Sequence, residues 1–335
     1  MLLSQESINE LQDKKILLAF SGGADSTSLF FLLLDSQISF DIVIVHYGLR
    51  KQADEEVAYA QALAKEHGLN CHLLKADKIE QNFEYEARRI RYDYFEDLIK
   101  DKGYTHLLTA HHLQDRLEWM LMQFSKGAGA AEFLGMKEKE KRSTYTLFRP
   151  LINNTKDEIL LYLRENKKHW FHDESNDDLS YKRNYFRHKI VNELLKDNIE
   201  GIRQSFKYLE DDVKELIKEV DIKEAEDLSL FFSTRHKRSD IFHIDKILKS
   251  KGYILTSSQR QELKVEDEII AGRKFVVVLD KGIYYIAPFI TQTMDKCFKE
   301  KCRKLEVPNK LRPYLYKYPM AYILFTRFLP CSLQG

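Results

Sequence analysis

Residues 16 to 29 read Ile-Leu-Leu-Ala-Phe-Ser-Gly-Gly-Ala-Asp-Ser-Thr-Ser-Leu. The five apolar residues at the start predict a short buried strand, and the Ser-Gly-Gly turn ends it. Apolar residues then recur at helical spacing, at Leu29, Phe30, Leu32 and Leu33. The turn therefore joins a strand to a helix.

This turn has the chemistry of a phosphate-binding loop. Gly22 and Gly23 permit backbone angles closed to other residues, so a ligand can approach the main-chain N–H groups closely. The following helix adds unpaired N–H groups and the positive end of its dipole, while Ser21, Ser26 and Thr27 add hydroxyl donors. Taken alone, the stretch also fits an ordinary turn followed by a helix N-cap.

Asp25 is the unusual member of the turn. A carboxylate beside a phosphate is repulsive unless a cation lies between them, and Mg²⁺ is the cation we expect there. The stretch is not a Walker loop, because the chain has no Gly-x-x-x-x-Gly-Lys-Ser/Thr, and no Gly-x-Gly-x-x-Gly follows a strand.

The turn resembles the SGGxDS loop of the PP-loop ATP pyrophosphatase family. Six consecutive residues match that loop: Ser21, Gly22, Gly23, Ala24, Asp25 and Ser26. The resemblance implies that they bind ATP, that Asp25 holds Mg²⁺, and that ATP is cleaved between its α and β phosphates to adenylate a substrate.

Strands and helices alternate after the turn. Apolar runs at 41–46, 70–75 and 106–110 predict strands, and the first of them lacks alternation, as expected of a parallel strand covered on both faces. Helices predicted at 53–67 and 83–100 separate them. The sequence therefore predicts an α/β fold with a doubly wound parallel sheet, whose ligands bind beyond the carboxyl ends of the strands.

Composition sets the broad class of the protein. The 335 residues, 44% of them hydrophobic, suffice for two domains. The net charge of +1 requires any RNA-binding surface to be a local cluster. Four cysteines without a C-x-x-C pair predict reduced, structural thiols, and the lack of a signal-peptide or membrane-span pattern predicts a cytoplasmic protein.

The helix at 83–100 carries a second family pattern, E-x-x-A-R-x-x-R-Y. It falls on Glu84, Ala87, Arg88, Arg91 and Tyr92. Arg88 and Arg91 share one face of the helix, and the residues alone favour a solvated face on which Arg88 pairs with Glu84. The resemblance instead assigns Arg91 to ATP phosphate or to the substrate.

Two carboxylates, Asp115 and Glu118, follow the strand at 106–110 and stand one helical turn apart. With His111 and His112 they also admit a metal-site interpretation, although Zn²⁺ sites usually pair ligands at tighter spacings. Acidic residues at a helix N-terminus also favour the dipole without any further role. All four residues match the family pattern H-H-x-x-D-x-x-E-T, apart from its final threonine.

The polar stretch at 173–187 is similar to the D-x-S-N…R-N-x-x-R signature that separates lysidine synthetases from other PP-loop proteins. The signature falls on Asp173, Ser175, Asn176, Arg183, Asn184 and Arg187. The resemblance implies adenosine contacts near His46, after the second strand. The chain departs from the family there, because the family's His-x-x-His would fall on Ile44 and Tyr47.

The resemblance implies a reaction. Free lysine would be ligated to C2 of the wobble cytidine in the CAU anticodon loop of tRNA(Ile), through an adenylated tRNA, with release of AMP and pyrophosphate. Asp115 and Glu118 would hold and deprotonate the lysine ammonium, whose free pKa is about 10.4. Arg91 and Arg183 would neutralise phosphate or the lysine carboxylate. A tRNA thiolase and a non-catalytic nucleotide sensor stay open, as does a homodimer; no stable protein partner is implied.

The chain divides by composition into three predicted segments: a catalytic domain at 1–190, a charged helical connector at 191–239, and a smaller α+β domain at 240–335. A hairpin is expected around Asp280 in the last of these. Residues 296–317 hold eight basic and two acidic residues, with Tyr314, Tyr316 and Tyr318 among or beside them. Such a stretch either grips RNA backbone or is a solvated surface, and we expect this domain to bind tRNA.

Overall fold

The computed structural model describes residues 3–48, 52–77, 79–172 and 182–328, without the side chains of residues 84 and 182. It divides into two compact units, with the boundary between Leu209 and Glu210. Within the described ranges, no helix combines the length and the apolar character needed to cross a membrane.

The first unit has six strands. They are β1 Ile16–Ala19, β2 Asp41–His46, β3 Cys71–Lys75, β4 His106–Leu108, β5 Lys139–Lys141 and β6 Thr146–Phe148. Its helices are α1 Gln5–Leu11, α2 Ala24–Asp35, α3 Gln52–Glu66, α4 Phe83–Lys102, α5 Leu113–Phe124, α6 Ala130–Leu134, α7 Lys156–Glu165 and α8 Lys182–Phe186. A π-helical turn, Arg187–Val191, leads from α8 into α9, Asn192–Leu216, in which the boundary between the units falls.

The strands form one sheet in the order β3-β2-β1-β4-β6-β5. All neighbours are parallel except β5, which pairs antiparallel with β6. The strand order reverses at β1, which lies between β2 and β4, and such a reversal opens a crevice at the carboxyl ends of the strands. The predicted doubly wound parallel sheet is confirmed.

Helices cover both faces of this sheet, which explains the unalternated apolar strands. Leu18 and Ile42 pack in one cluster with Phe30 of α2. Leu17 and Val43, their neighbours in the chain, belong to a second cluster with Phe95 of α4. Successive side chains point to opposite faces of a strand, so both faces must be apolar.

The second unit is an antiparallel sheet covered by helices. Its strands are β7 Lys223–Ala225, β8 Leu228–Phe232, β9 Glu268–Ala271, β10 Phe275–Asp280 and β11 Ile283–Pro288, in the order β7-β8-β11-β10-β9. Its helices are α10 Lys237–Ser250, α11 Ser257–Val265, α12 Lys296–Lys304, α13 Arg312–Lys317 and α14 Pro319–Arg327.

The predicted hairpin is present in this unit, since β10 and β11 pair from Phe275↔Pro288 to Asp280↔Ile283. The two turn residues, Lys281 and Gly282, both have positive φ, as a two-residue hairpin turn of this type requires.

The observed elements differ from the predicted connector at 191–239. Its first part is α9, whereas β7 and β8 already belong to the second sheet. Both strands are short and only two residues separate them, so they leave little periodic signal in the sequence.

Candidate active site

The turn after β1 lies where the strand order reverses. Gly22 has a φ of +75°, and Gly23 is the N-cap of α2, which starts at Ala24. The main-chain N–H of Ser21 donates to Ser26 Oγ at 3.1 Å, and the two serine hydroxyls are also 3.1 Å apart. These bonds fix the turn at a helix N-terminus, where unpaired N–H groups favour an anion.

A neighbouring segment packs directly on this turn. The N–H of Phe171 donates to Gly22 O at 2.9 Å. A Cβ atom on Gly22 would lie 3.3 Å from Phe171 Cδ2 and 3.5 Å from Glu56 Cβ. Gly22 is therefore required both by its backbone angle and by the tight space.

Asp25 of α2 has two polar neighbours from other elements. Lys156 Nζ, at the start of α7, lies 2.5 Å from Asp25 Oδ1. His112 Nε2 lies 3.8 Å from Asp25 Oδ2. The carboxylate and the hydroxyls of Ser21 and Ser26 are hard oxygen donors, which suit Mg²⁺ completed by substrate phosphates.

The second group of site residues is built at the start of α5. His112 is the N-cap of this helix, and its N–H donates to Asp115 Oδ2 at 3.0 Å. This local bond fixes Asp115 in the first turn, with Glu118 one turn later. His112 Nε2 is also 3.4 Å from Asp115 Oδ2, so one imidazole stands beside Asp25 and Asp115 together.

Two arginines bind the carboxylates of α5. Arg183 of α8 and Arg187 of the π-helical turn reach Asp115 Oδ1 through their Nη2 atoms, at 2.8 and 2.9 Å. Arg187 Nε donates to Glu118 Oε2 at 3.0 Å, and Arg183 Nε donates to Glu118 Oε1. Asp115 is 7% and Glu118 1% exposed. Two buried anions are thus matched by two cations, as buried charges require.

The two carboxyl groups respond differently to this environment. Burial opposes ionisation of Asp115, but the electrostatic effects of His112, Arg183 and Arg187 outweigh it and hold the pKa of Asp115 well below its ordinary value. Burial raises the pKa of Glu118 against the opposing pull of Arg183 and Arg187. Asp115 is therefore a permanent anion, whereas Glu118 is the better proton acceptor.

His111 contributes no charge to the site at neutral pH. Burial lowers the pKa of His111 to about 4 despite the nearby Asp115. Its Nδ1 lies 2.9 Å from Thr109 Oγ1, a hydrogen bond that orients the ring.

A family model described as a PP-loop domain matches residues 3–194. A tRNA(Ile)-lysidine synthase from Helicobacter pylori is 44% identical over 92% of this chain and 91% of its own length. The same enzyme from Campylobacter jejuni is 41% identical over 95% of this chain and 97% of its own. The chain belongs to the tRNA(Ile)-lysidine synthase family. The family and the enzyme class predicted from the sequence are confirmed.

These relatives align with this lysidine synthase family member far beyond residue 190, where the sequence motifs end. Among solved structures, a U34-tRNA thiolase from Methanococcus maripaludis, with its iron–sulfur cluster, has a TM-score of 0.53 at 16% identity. It covers 75% of this chain and 88% of its own. That likeness shows the fold alone.

Most predicted site residues of this family member lie together. The residues of the turn, Asp25, Asp115, Glu118 and Arg183 converge on the crevice between β1 and β4, joined by His112 and by the ion pairs of Arg183. The structure pairs Arg183 with both carboxylates, a contact that the sequence did not predict.

Within the described ranges, Arg91 makes no hydrogen bond or ion pair with this group. It is exposed on α4, with Tyr47 as its electrostatic neighbour: burial raises the pKa of Tyr47 and Arg91 opposes the rise. Arg88 stacks on Tyr92, 4.6 Å from the ring centre. Burial is the main cause of the lowered pKa of His111, and the charge of Arg88 lowers it further. Arg88 is thus the α4 arginine that acts electrostatically on the cluster around α5.

His46, whose contact with adenosine stays a prediction, has an acidic neighbour on α3. Its Nε2 lies 3.2 Å from Asp54 Oδ1 of α3, at the end of β2. The signature residues Asp173, Ser175 and Asn176 and the side chain of Glu84 lie outside the described part of the chain.

Sequence reasoning missed Lys156 and assigned no role to Arg149. Arg149, 4% exposed, follows β6, and its Nη1 donates to Lys137 O at 2.7 Å. Its charge also helps to lower the pKa of His111. The available signal for Lys156 was a lysine in the first turn of a helix, where the dipole disfavours cations.

Of the described cysteines, Cys71 is the one in the first unit, and it lies away from this site. Cys71 begins β3, at the end opposite to the crevice, and Cys297 and Cys302 are on α12 of the second unit. Across the described ranges, no three His, Cys, Asp or Glu side chains are grouped so as to hold a metal ion.

The basic stretch of the second unit is partly a surface and partly core. Five cations of α12 are exposed, and none makes an ion pair with a described residue: Lys296, Lys299, Lys301, Arg303 and Lys304. Tyr314 is buried, and its hydroxyl accepts the N–H of Asp227 at 2.9 Å. The hydroxyl of Tyr316 donates to Asp295 Oδ2 at 3.1 Å. The cations are therefore the accessible part of this stretch.

Proposed function

We propose that this protein ligates free lysine to C2 of the wobble cytidine of tRNA(Ile) with a CAU anticodon, with ATP as the co-substrate. The observation that carries the proposal is the position of His112, within 3.8 Å of Asp25 and 3.4 Å of Asp115. It brings the proposed phosphate-binding turn at 21–26, called the phosphate turn below, and the buried pair Asp115 and Glu118 into one site. The names of the relatives support tRNA(Ile) as the substrate.

In the first step the cytosine O2 attacks the α-phosphorus of ATP. The bond from that phosphorus to the bridging oxygen breaks, and pyrophosphate leaves with the electron pair. The turn at 21–26 and the N-terminus of α2 stabilise the charge on the leaving group. Asp25 and the turn hydroxyls would hold Mg²⁺, which supplies charge neutralisation on the phosphates.

In the second step the ε-nitrogen of lysine attacks C2, and the C2–O bond breaks to release AMP. The ammonium must first lose a proton, since its free pKa is about 10.4. Asp115, held ionised, attracts the ammonium, and Glu118, whose pKa burial raises, accepts the proton.

The arginines occupy the carboxylate oxygens that this ammonium needs. Binding of lysine therefore requires Arg183 or Arg187 to turn toward another anion, such as the lysine carboxylate or the phosphate of AMP. Two guanidiniums beside two carboxylates let charges exchange partners without leaving any of them unpaired.

The cytosine must leave its loop to reach this site, as bases do in other enzymes that modify them. We assign tRNA backbone binding to the second unit, through exposed cations of α12.

The test measures lysine incorporation and pyrophosphate release with purified protein. We expect labelled lysine to enter tRNA(Ile) with a CAU anticodon, and pyrophosphate release to require that tRNA but not lysine. A tRNA with a wobble uridine is the control. Sulfur incorporation instead of lysine would mean a thiolase, and ATP binding without pyrophosphate release would mean a sensor; either result contradicts the proposal.

A further inference from the structure

Lys156 stands at the phosphate turn without a role in either step of the proposed reaction. Its Nζ lies 2.5 Å from Asp25 Oδ1, although the two residues are 131 positions apart. Both side chains are about one third exposed, 36% for Lys156 and 32% for Asp25. The ammonium is thus accessible to a ligand that enters the turn.

The backbone of Lys156 is fixed from two sides. Its N–H donates to Gln114 Oε1 at 3.0 Å, which ties the start of α7 to the start of α5. Thr155 and Glu158 form a capping box around the same turn, with bonds of 3.2 and 2.7 Å. The lysine therefore projects from a rigid position beside the phosphate turn.

Local rules disfavour a cation at this position. The N-terminus of a helix carries partial positive charge, which the neighbouring Asp157 and Glu158 complement and Lys156 does not. A residue that opposes local preference is expected where it serves a function elsewhere in the fold.

We infer that the side chain of Lys156 binds the phosphates of ATP during the reaction, an inference that rests on ATP binding at the turn. Its ammonium neutralises Asp25 in the free enzyme and donates hydrogen bonds to the β- and γ-phosphate oxygens of bound ATP. When the α-phosphorus–oxygen bond breaks, the electron pair leaves with pyrophosphate, and the ammonium stabilises the charge that builds there.

Electrostatic repulsion explains why Lys156 would exchange Asp25 for phosphate when ATP binds. Asp25 is the expected ligand of Mg²⁺, and an ammonium and a divalent cation repel each other at one carboxylate oxygen. A flexible four-carbon stem lets the ammonium move to the nearest new anion, which in the loaded turn is phosphate.

The first experiment measures binding of α,β-methylene ATP with Mg²⁺ by calorimetry, without tRNA or lysine. We expect Lys156→Met and Lys156→Gln to weaken binding about tenfold or more, since both remove a charge-assisted bond to phosphate. The control is Lys196→Met, which removes the exposed Lys196–Glu193 pair on α9 and should leave binding unchanged. Binding by both Lys156 variants within twofold of the parent would overturn the inference.

Melting curves show whether the variants are folded. Because the Lys156–Asp25 pair is partly exposed, we expect melting temperatures within about 3 °C of the parent without ligand. The ATP analogue should raise the melting temperatures of the variants less than it raises the melting temperature of the parent.

A double-mutant cycle with Asp25→Asn separates direct from indirect action. If Lys156 contacts phosphate, Lys156→Met weakens binding by a similar factor in the Asp25→Asn background. If Lys156 only positions Asp25, the lysine change has no effect there, and the inference fails. A parent protein that does not bind the analogue would instead remove the proposed function itself, so the two failures are distinguishable.

Discussion

Asp115 and Glu118 share the same two guanidiniums but differ in their local bonds. Asp115 also accepts the N–H of His112 and faces its ring, which stabilises the charged form. Glu118 is held by the two arginines and is the more deeply buried of the pair. Burial thus sets the proton affinity of Glu118, and partners set that of Asp115.

This difference predicts separate effects on the two half-reactions. Glu118→Gln keeps the shape of the side chain but removes its proton acceptor, so lysine transfer should fall by about a hundredfold or more. Adenylation should continue, and adenylated tRNA should accumulate when ATP and tRNA are supplied. Rapid quench with labelled ATP measures both steps.

The matched control is Glu193→Gln, which neutralises an exposed glutamate on α9 and should leave both steps unchanged. Loss of adenylation in Glu118→Gln, with lysine transfer from preformed intermediate intact, would place this carboxylate on ATP or its metal ion instead.

The backbone conformation of the phosphate turn depends on one residue with left-handed backbone angles, Gly22. Gly22 combines a φ of +75° with Phe171 Cδ2 only 3.3 Å from any added Cβ. Gly103, the C-cap of α4, has a similar φ of +71° but nothing within 4 Å of its Cβ position. The two glycines therefore separate backbone strain from crowding.

We predict that Gly22→Ala and Gly103→Ala both lower the free energy of unfolding, by about 1–2 kcal/mol for the left-handed backbone. Only Gly22→Ala should also weaken binding of an ATP analogue, because its turn must shift away from Phe171. Urea unfolding and calorimetry measure the two quantities. Equal analogue affinity in both variants would show that the turn tolerates the shift.

Each of the two compact units has its own sheet and its own hydrophobic core. The second sheet starts at β7, so a truncation near residue 240 would keep β7 and β8 but remove β11, the other partner of β8, and most of α10. Changes of surface charge on α12 test tRNA binding without that damage.

We predict that Lys299→Gln, Lys301→Gln, Arg303→Gln and Lys304→Gln together weaken tRNA binding and reduce its salt dependence. The slope of log K against log salt should fall by about 0.7–0.9 for each phosphate that the variant no longer neutralises. Affinity for the ATP analogue should not change. Filter binding at several salt concentrations gives the slope.

The control neutralises four lysines of the same unit that already have acidic partners: Lys223, Lys249, Lys281 and Lys310. An equal decrease of slope in the control would mean that net charge, and not the α12 surface, governs binding.

Features that depend on neighbours along the chain could be predicted from the amino-acid sequence. The unalternated apolar runs predicted a parallel sheet covered on both faces, and the turn at 21–26 predicted a phosphate loop between a strand and a helix. Asp115 and Glu118 could be placed on one helix face, since spacing alone decides that. Short-range geometry is nearly independent of the rest of the fold.

Which distant groups meet could not be predicted in the same way. Strand order sets β1 beside β4, and this brings His112 to Asp25 and Lys156 to the same carboxylate. The pairing of Arg183 and Arg187 with the α5 carboxylates spans 65 to 72 positions, and nothing in the local pattern specifies it. Such contacts depend on how helices and strands pack together, and packing is a property of the whole core that no short stretch of sequence contains.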